Sequence, residues 1–172
     1  MKCVDSTVAQ GAVPDWTELY KQVYRHLKPG GWIEHTEISY TIIADDHPIP
    51  YDSPYRWWNK LFRDAGAKMG MTFEPTVRGQ NEPWMREAGF TGEFHVESYK
   101  IPIGTWSTNA KLKEVGAYNL LACKRGLDGF TLRLGMELSH SHAEMVVYCA
   151  EMRKAYKSQE THGYYTWLVV AF

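Results

Sequence analysis

A helix, a glycine turn and a strand follow one another near the start of the sequence. Apolar side chains recur at three- and four-residue spacing over residues 16–27, which predicts an amphipathic helix. Asp15, with Glu18 three positions later, predicts a capped start for this helix. The run Lys28-Pro29-Gly30-Gly31 ends it, because proline cannot continue a helix and glycine permits a left-handed turn. Side chains from residue 32 to 40 alternate between two faces, so a strand follows and extends toward residue 43. The segment reads as the second half of a βαβ unit.

The remaining segments continue this alternation of helices and strands. They are, in order, a loop at 44–53, a helix starting from Ser53-Pro54, a short helix at 82–88 ended by Gly89, a strand at 90–103, a helix from Ser107 to Lys124, a turn at 126–129, a helix capped by Ser141 and Glu144, and a strand at 164–172. The apolar end of the last strand favours a central place in a sheet. No repeat or linker interrupts the pattern, and we predict one α/β domain over residues 1–172.

Charge and composition exclude several functional classes. The 172 residues carry 19 Lys and Arg against 20 Asp and Glu, so no basic field is available for nucleic acid or an anionic membrane surface. The longest apolar run, residues 167–172, is too short to cross a bilayer, and we expect no secretory signal after Met1. Three cysteines without CxxC spacing predict a reduced, cytoplasmic setting with buried thiols.

Several motifs carry a resemblance to a known family. Asp15-Trp16 and the run Leu27-Lys28-Pro29-Gly30-Gly31-Trp32-Ile33-Glu34 resemble the stretch that enters strand five of class I S-adenosylmethionine-dependent methyltransferases. Further motifs resemble the fungal LaeA-like branch of secondary metabolism, and they occur in the same order: Glu34 and Glu37, Trp57, Met85-Arg86-Glu87-Ala88-Gly89-Phe90, Lys100-Ile101-Pro102-Ile103-Gly104-Thr105-Trp106, and His162-Gly163-Tyr164-Tyr165. The resemblance covers residues 5–172.

The sequence departs from that family where the cofactor is bound. In the family, a glycine-rich loop after strand one and an acidic residue ending strand two hold S-adenosylmethionine. Neither feature occurs in this sequence, so we expect no bound cofactor. The resemblance therefore implies the C-terminal half of a methyltransferase. Its fold would be a truncated Rossmann-like α/β fold, with the family's strands five, six and seven, flanking helices, and a remnant of strand four in residues 2–9.

The family's strand order, 3-2-1-4-5-7-6, implies an interaction between chains. Without strands one to three, the strand-five side of the sheet would be open. An open apolar edge pairs readily with another chain. We therefore expect a homodimer across a twofold axis, with swapping of the N-terminal segment as the alternative route.

Two groups of polar residues are candidates for acid–base catalysis. His35 and Glu37 lie two positions apart in the strand and share a face, so the carboxylate can orient the imidazole. The alternative is that this face is simply solvated. Asp46 and His47 follow the strand, at the edge where open α/β sheets bind ligands. Together with Asp45 they also suggest metal ligands, but adjacent residues rarely point at one ion, and we expect a solvated loop without metal.

Aromatic residues suggest a pocket for an apolar substrate. The chain has 7 Trp and 11 Tyr, and in the family the acceptor pocket lies near several of them. The candidates for substrate binding are Tyr51, Tyr55, Trp57, Trp84 and Trp106. The alternative is that aromatic side chains at helical spacing belong to the core, which applies less to Tyr51 and Trp106 because both are in predicted loops.

Three functions are compatible with this sequence. The first is a cytoplasmic enzyme that kept the acceptor pocket, lost the cofactor, and catalyses a cyclisation, isomerisation, dehydration or pericyclic step on an apolar or aromatic metabolite. The second is a pseudo-methyltransferase that acts as a regulatory or interaction partner. The third is a methyltransferase completed by another chain that supplies the S-adenosylmethionine-binding half.

Overall fold

Helices and strands are interspersed along the described part of the chain, as the α/β prediction required. The computed structural model describes residues 3–7, 11–73, 79–158 and 160–171. The elements in chain order are β1 (Cys3–Thr7), α1 (Trp16–His26), β2 (Trp32–Ile43), α2 (Pro54–Met69), α3 (Asn81–Ala88), β3 (His95–Pro102), α4 (Ala110–Glu137), α5 (His142–Ser158) and β4 (Tyr164–Ala171). No helix in these ranges is long and apolar enough to cross a membrane.

The strands form one sheet in the order β1-β2-β4-β3. β1 and β2 are parallel, with Cys3 opposite Trp32 and Thr7 opposite Thr36. If β1 corresponds to the family's strand four, this order reproduces the end of the family's sheet, 4-5-7-6. The fold-class prediction is therefore confirmed, including the central position of the last strand.

The sequence of the first helix and turn explains their geometry. The Asp15 carboxylate accepts a hydrogen bond from the Glu18 amide at 2.9 Å and caps α1 as predicted. Gly30 then adopts φ 72°, a conformation that residues with a Cβ rarely reach. This turn leads the chain directly into β2.

The chain divides into two compact units. The first comprises residues 1–39, 70–99 and 167–172, and the second comprises residues 40–69 and 100–166. In the first unit α1 packs against α3, and in the second α2, α4 and α5 pack on one another. The buried core of the first unit consists of Trp16, Tyr20, Ile33, Met85, Ala88, Phe90 and Val170. The single domain over residues 1–172 stays a prediction.

The glycine turn predicted at residues 126–129 is wrong. α4 runs without a break through these positions, and its N-cap is Asn109 rather than Ser107. Leu127 is fully buried and Asp128 accepts two hydrogen bonds from Arg153, at 2.7 and 2.8 Å. Packing against α5 therefore outweighs the cost of about 1 kcal/mol for each glycine inside a helix.

Gly129 provides a test of this continuous helix. It is exposed, and a Cβ built on it meets nothing within 4 Å. Gly129→Ala should raise the free energy of unfolding by about 0.5–1 kcal/mol, because alanine loses less backbone entropy in a helix. Urea unfolding followed by circular dichroism measures the change. A clear loss of stability would instead support a turn at this position.

Side chains of α2 bind the main chain of β2 near its end. The Trp58 indole donates to the Tyr40 carbonyl at 2.7 Å. The Asn59 side chain accepts from the Ile42 amide at 2.8 Å and donates to the Ile42 carbonyl at 2.9 Å. Residues two apart in a strand point their main-chain groups to the same side, so these bonds lie on one edge of β2. β1 pairs with residues 32–36, so these bonds lie beyond the stretch of β2 that pairs with β1.

Candidate functional site

His35 is the centre of a buried polar cluster in the first unit. Its Nε2 lies 3.0 Å from Glu37 Oε1, and its Nδ1 lies 2.6 Å from the Tyr20 hydroxyl. All three side chains are buried, with His35 at 1% exposure. The Trp16 ring packs over the imidazole at a centroid distance of 5.1 Å. The shared face predicted for His35 and Glu37 is thus present, and its solvated alternative does not apply.

The protonation of Tyr20 indicates which atoms of this cluster donate hydrogen bonds and which accept them. Burial, and secondarily the nearby Glu37 carboxylate, raise the pKa of the Tyr20 hydroxyl well above its usual value, so it stays protonated. The protonated Tyr20 hydroxyl donates to Nδ1 of His35, so Nε2–H of the same neutral ring can donate to Glu37 Oε1. Every proton then has an acceptor along the line Tyr20, His35, Glu37. A catalytic role for His35 and Glu37 stays a prediction. Their burial favours a structural role, in which they stabilise the fold.

A second polar group lies in the other unit, where β2 and β3 end and β4 begins. Asp45 and Asp46 follow β2, Lys100 lies near the end of β3, and Tyr164 is the first residue of β4. Contacts between these residues show that the three strand ends lie together. This is the edge at which open α/β sheets bind ligands.

Asp46 pairs with His162 rather than with its neighbour His47. The Asp46 carboxylate accepts a hydrogen bond from His162 Nδ1 and another from the His47 amide at 2.9 Å. Desolvation opposes the effect, yet these two hydrogen bonds hold the pKa of the Asp46 carboxyl below its usual value. His47 itself is exposed. The imidazole that Asp46 contacts therefore belongs to the distant His162, and a catalytic role for Asp46 and His47 stays a prediction.

Trp106 fixes the position of His162. The two rings are stacked, with centroids 5.0 Å apart and an interplanar angle of 16°. The Trp106 indole also donates to the Gly163 carbonyl at 3.2 Å. The side chain of His162 remains 42% exposed, so small molecules in solution can reach it. The carboxylate, the imidazole and the indole thus form an accessible group at the end of the sheet where β2 and β3 end and β4 begins.

Asp45 makes the neighbouring contacts. Its carboxylate accepts from the Lys100 ammonium and, at 2.5 Å, from the Tyr164 hydroxyl. The hydrogen bonds from Lys100 and Tyr164 lower the pKa of the Asp45 carboxyl. Burial, and the hydrogen bond to Asp45, raise the pKa of Tyr164, so its hydroxyl stays a donor.

The aromatic candidates occupy different environments. Tyr51 is 93% exposed, and Tyr55 is buried against Tyr156. The ring of Trp57 packs on that of Tyr148, with centroids 4.0 Å apart, and the ring of Trp84 stacks on that of Trp16, with centroids 6.2 Å apart. Trp106 stacks on His162. Each of these side chains contacts different partners, so these contacts do not show a common pocket. Their role in substrate binding stays a prediction. Core packing accounts for Tyr55, and Trp106 is the candidate that lies beside polar chemistry.

Other titratable residues have structural roles. Ser141 and Glu144 form the predicted reciprocal cap of α5, and His142 beside them is exposed. His140 packs on Trp57 at 5.5 Å. Cys149 is buried, as predicted for a structural thiol, whereas Cys123 is only partly buried. Cys3 belongs to β1, whose side chains lie outside the described part. Within the described ranges, no three His, Cys, Asp or Glu side chains are grouped to hold a metal ion.

Four residues of these two groups are not among the site residues predicted from the sequence: Tyr20, Lys100, Tyr164 and His162. Tyr20 followed the apolar helical spacing and was expected in a core face. His162 and Tyr164 belong to the resemblance motif at 162–165, which was the available signal for them.

Comparison with known proteins places these residues in a family context. Methyltransferase pytC of Aspergillus terreus is 30% identical over 161 residues, 93% of this chain and 49% of the relative. The probable methyltransferase tdiE of Emericella nidulans is 29% identical over 157 residues, 91% of this chain and 49% of the relative. The secondary metabolism regulator LAE1 of Cochliobolus heterostrophus is 33% identical over 126 residues, 72% of this chain and 40% of the relative. The chain is homologous to fungal methyltransferases and LaeA-type regulators.

The LaeA-like resemblance is therefore confirmed over nearly the whole chain. The chain spans about half the length of the curated methyltransferases it matches. No protein-family model matches it. Among solved structures, phosphoethanolamine N-methyltransferase 2 of Haemonchus contortus is 14% identical, with TM-scores of 0.43 and 0.42, covering 99% of this chain and 33% of that protein.

Proposed function

We propose that this LaeA-like chain is a cytoplasmic enzyme of fungal secondary metabolism that works without S-adenosylmethionine. Its reaction would be a cyclisation, isomerisation, dehydration or pericyclic step on an apolar or aromatic small molecule, assisted by proton transfer. The observation that carries this proposal is the Asp46–His162 pair, which is accessible, lies at the ligand-binding edge of the sheet and is held by Trp106.

The pair has the arrangement that a general base requires. The Asp46 carboxylate fixes Nδ1–H of His162, which leaves Nε2 as the basic nitrogen. A substrate proton removed by Nε2 gives an imidazolium that Asp46 stabilises, and the same proton can return to another atom of the substrate. General acid–base catalysis of this kind contributes roughly 10²–10⁴-fold to a rate.

Product analysis tests the proposal. The chain is expressed in a fungus that produces secondary metabolites, and the metabolites are followed by mass spectrometry. The expected product has the mass of its precursor, or that mass less one water. His162→Gln should reduce its formation roughly 10²–10⁴-fold. Asp46→Asn should also reduce it, because it removes the charge that orients the imidazole.

The exposed His142 supplies the matched control, since His142→Gln removes an imidazole from the same unit without touching the pair. His47→Gln asks whether the predicted neighbour has a role, and we expect unchanged product. A product that gains one CH₂, or tight binding of S-adenosylmethionine in calorimetry, would overturn the proposal in favour of methyl transfer with a partner chain. Full product formation by His162→Gln would remove the site.

A second candidate is a non-catalytic regulator or interaction partner. The observation that favours it is the similarity to the regulator LAE1, at 33% identity. Under this alternative, deleting the gene for this chain changes the amounts of metabolites from several pathways. The Asp46→Asn variant should restore those amounts as well as the unchanged chain does.

We also propose a homodimer, formed through the outer edge of β1. β1 is the terminal strand of the sheet, and a terminal strand offers main-chain groups to a second copy. Light scattering of the purified chain tests this, and a stable folded monomer would refute it.

A further inference from the structure

Two hydrogen-bond donors from two strands converge on the Asp45 carboxylate. The Lys100 ammonium binds Oδ2, and the Tyr164 hydroxyl binds Oδ1 at 2.5 Å. The ammonium also lies 4.7 Å from the centroid of the Tyr164 ring, so a cation–π contact holds the two donors together. The donors thus form a preformed pair that engages both oxygens of one carboxylate.

The donors and the acceptor differ in how firmly the fold holds them. Lys100 and Tyr164 belong to strands, and Tyr164 is only 6% exposed. Asp45 lies in the loop after β2, and its side chain is 57% exposed. A nearly buried phenol that stays protonated needs an acceptor, because an unsatisfied buried donor is costly. Here that acceptor is a loop side chain that is about as exposed as the Lys100 ammonium, at 57% against 52%, so a competing anion can reach both.

We propose that Lys100 and Tyr164 form a binding site for the carboxylate of an organic acid, and that Asp45 fills this site when no ligand is bound. This inference rests on the proposed function, for which it names the substrate class. Asp45 and Asp46 are consecutive, so their Cα atoms are about 3.8 Å apart. The proposed carboxylate site and the Asp46–His162 pair therefore adjoin each other along the loop after β2.

The exchange is chemically balanced. The ligand carboxylate accepts the same two charge-assisted hydrogen bonds that Asp45 gives up, and Asp45 passes into solvent as an ion. An exposed ion pair is weakly held, so the internal competitor lowers the affinity for a ligand without blocking the site.

Benzoate is a suitable probe, with the neutral isostere benzamide as its comparison. Both are titrated into the whole chain at constant ionic strength, and the indole N–H of Trp106 and the ring of Tyr164 are followed by NMR. Asp45→Ala should bind benzoate on the order of five-fold more tightly than the unchanged chain, because the competing side chain is gone. Benzamide affinity should not change.

Asp52→Ala is the matched control, since it removes an exposed carboxylate from the same loop and changes the net charge equally. In the Asp45→Ala background, Lys100→Met and Tyr164→Phe should each lower the benzoate affinity by roughly ten-fold. The inference is overturned if Asp52→Ala has the same effect as Asp45→Ala, or if Lys100→Met leaves binding unchanged. Equal gains for benzamide and benzoate would also overturn it. The two proposals can fail separately. If Lys100→Met weakens benzoate binding while His162→Gln keeps full product formation, the binding site is correct and the catalytic proposal has failed.

Discussion

Replacing His35 by alanine is expected to lower the free energy of unfolding by about 3–5 kcal/mol, the cost of breaking a buried hydrogen-bonded pair. The imidazole bonds both the Tyr20 hydroxyl and the Glu37 carboxyl, and the substitution also leaves a cavity beside Trp16. Urea unfolding followed by circular dichroism measures the loss. His26→Ala is the matched control, because His26 is exposed on the same helix as Tyr20 and should change stability little.

Two further variants separate the contributions within this cluster. Tyr20→Phe removes one hydrogen bond and should cost about 1–3 kcal/mol. A double replacement of His35 and Glu37 by leucine should be less harmful than the sum of its single replacements, because neither partner is left behind. If His35→Ala were as stable as His26→Ala, the cluster would not be holding α1 on β2.

Gly116→Ala is expected to destabilise the chain by about 3 kcal/mol, near the upper end for an overpacked site. A Cβ on Gly116 would lie 2.0 Å from the Gly104 carbonyl oxygen and 3.0 Å from Pro102 Cβ. The first obstacle is main chain, which cannot rotate away as a side chain can. The Gly104 amide also donates to the Gly116 carbonyl at 3.1 Å, so the two segments are in direct contact.

Gly129→Ala in the same helix serves as the comparison for this loss, since its added methyl group meets open space. The segment after Gly104 carries Trp106, so Gly116→Ala should also shift the Trp106 indole N–H resonance. A Gly116→Ala protein with unchanged stability would show that the helix and this segment are not in close contact.

Local chemistry explains why most of the fold was predictable. Asp15, Ser141 and Gly89 act over three or four residues, and each caps the helix end that the sequence indicated. The failure at residues 126–129 has the opposite cause. Two glycines there favour a turn locally, and the burial of Leu127 and the bond between Asp128 and Arg153 override that preference.

The candidate sites divide in the same way. His35 and Glu37 lie two residues apart, so strand periodicity alone placed them on one face. Asp46 and His162 are far apart in sequence and meet only because the sheet brings the end of β2 to the start of β4. No periodicity encodes such a pairing, and for this reason the sequence suggested the adjacent His47 instead. Tyr20 was missed because a tyrosine on an apolar helix face gives no sign that its hydroxyl has a partner.

Asn59 has a consequence for how the protein behaves at high concentration. Its amide offers Ile42 one donor and one acceptor, which is what a residue of an added strand would offer. Trp58 occupies the Tyr40 carbonyl on the same edge. A strand from a neighbouring molecule would have to pull these side chains away before it could join here. Because α2 occupies these main-chain groups, it opposes the addition of strands at this end of β2. Amyloid-type growth would have to begin elsewhere on the sheet.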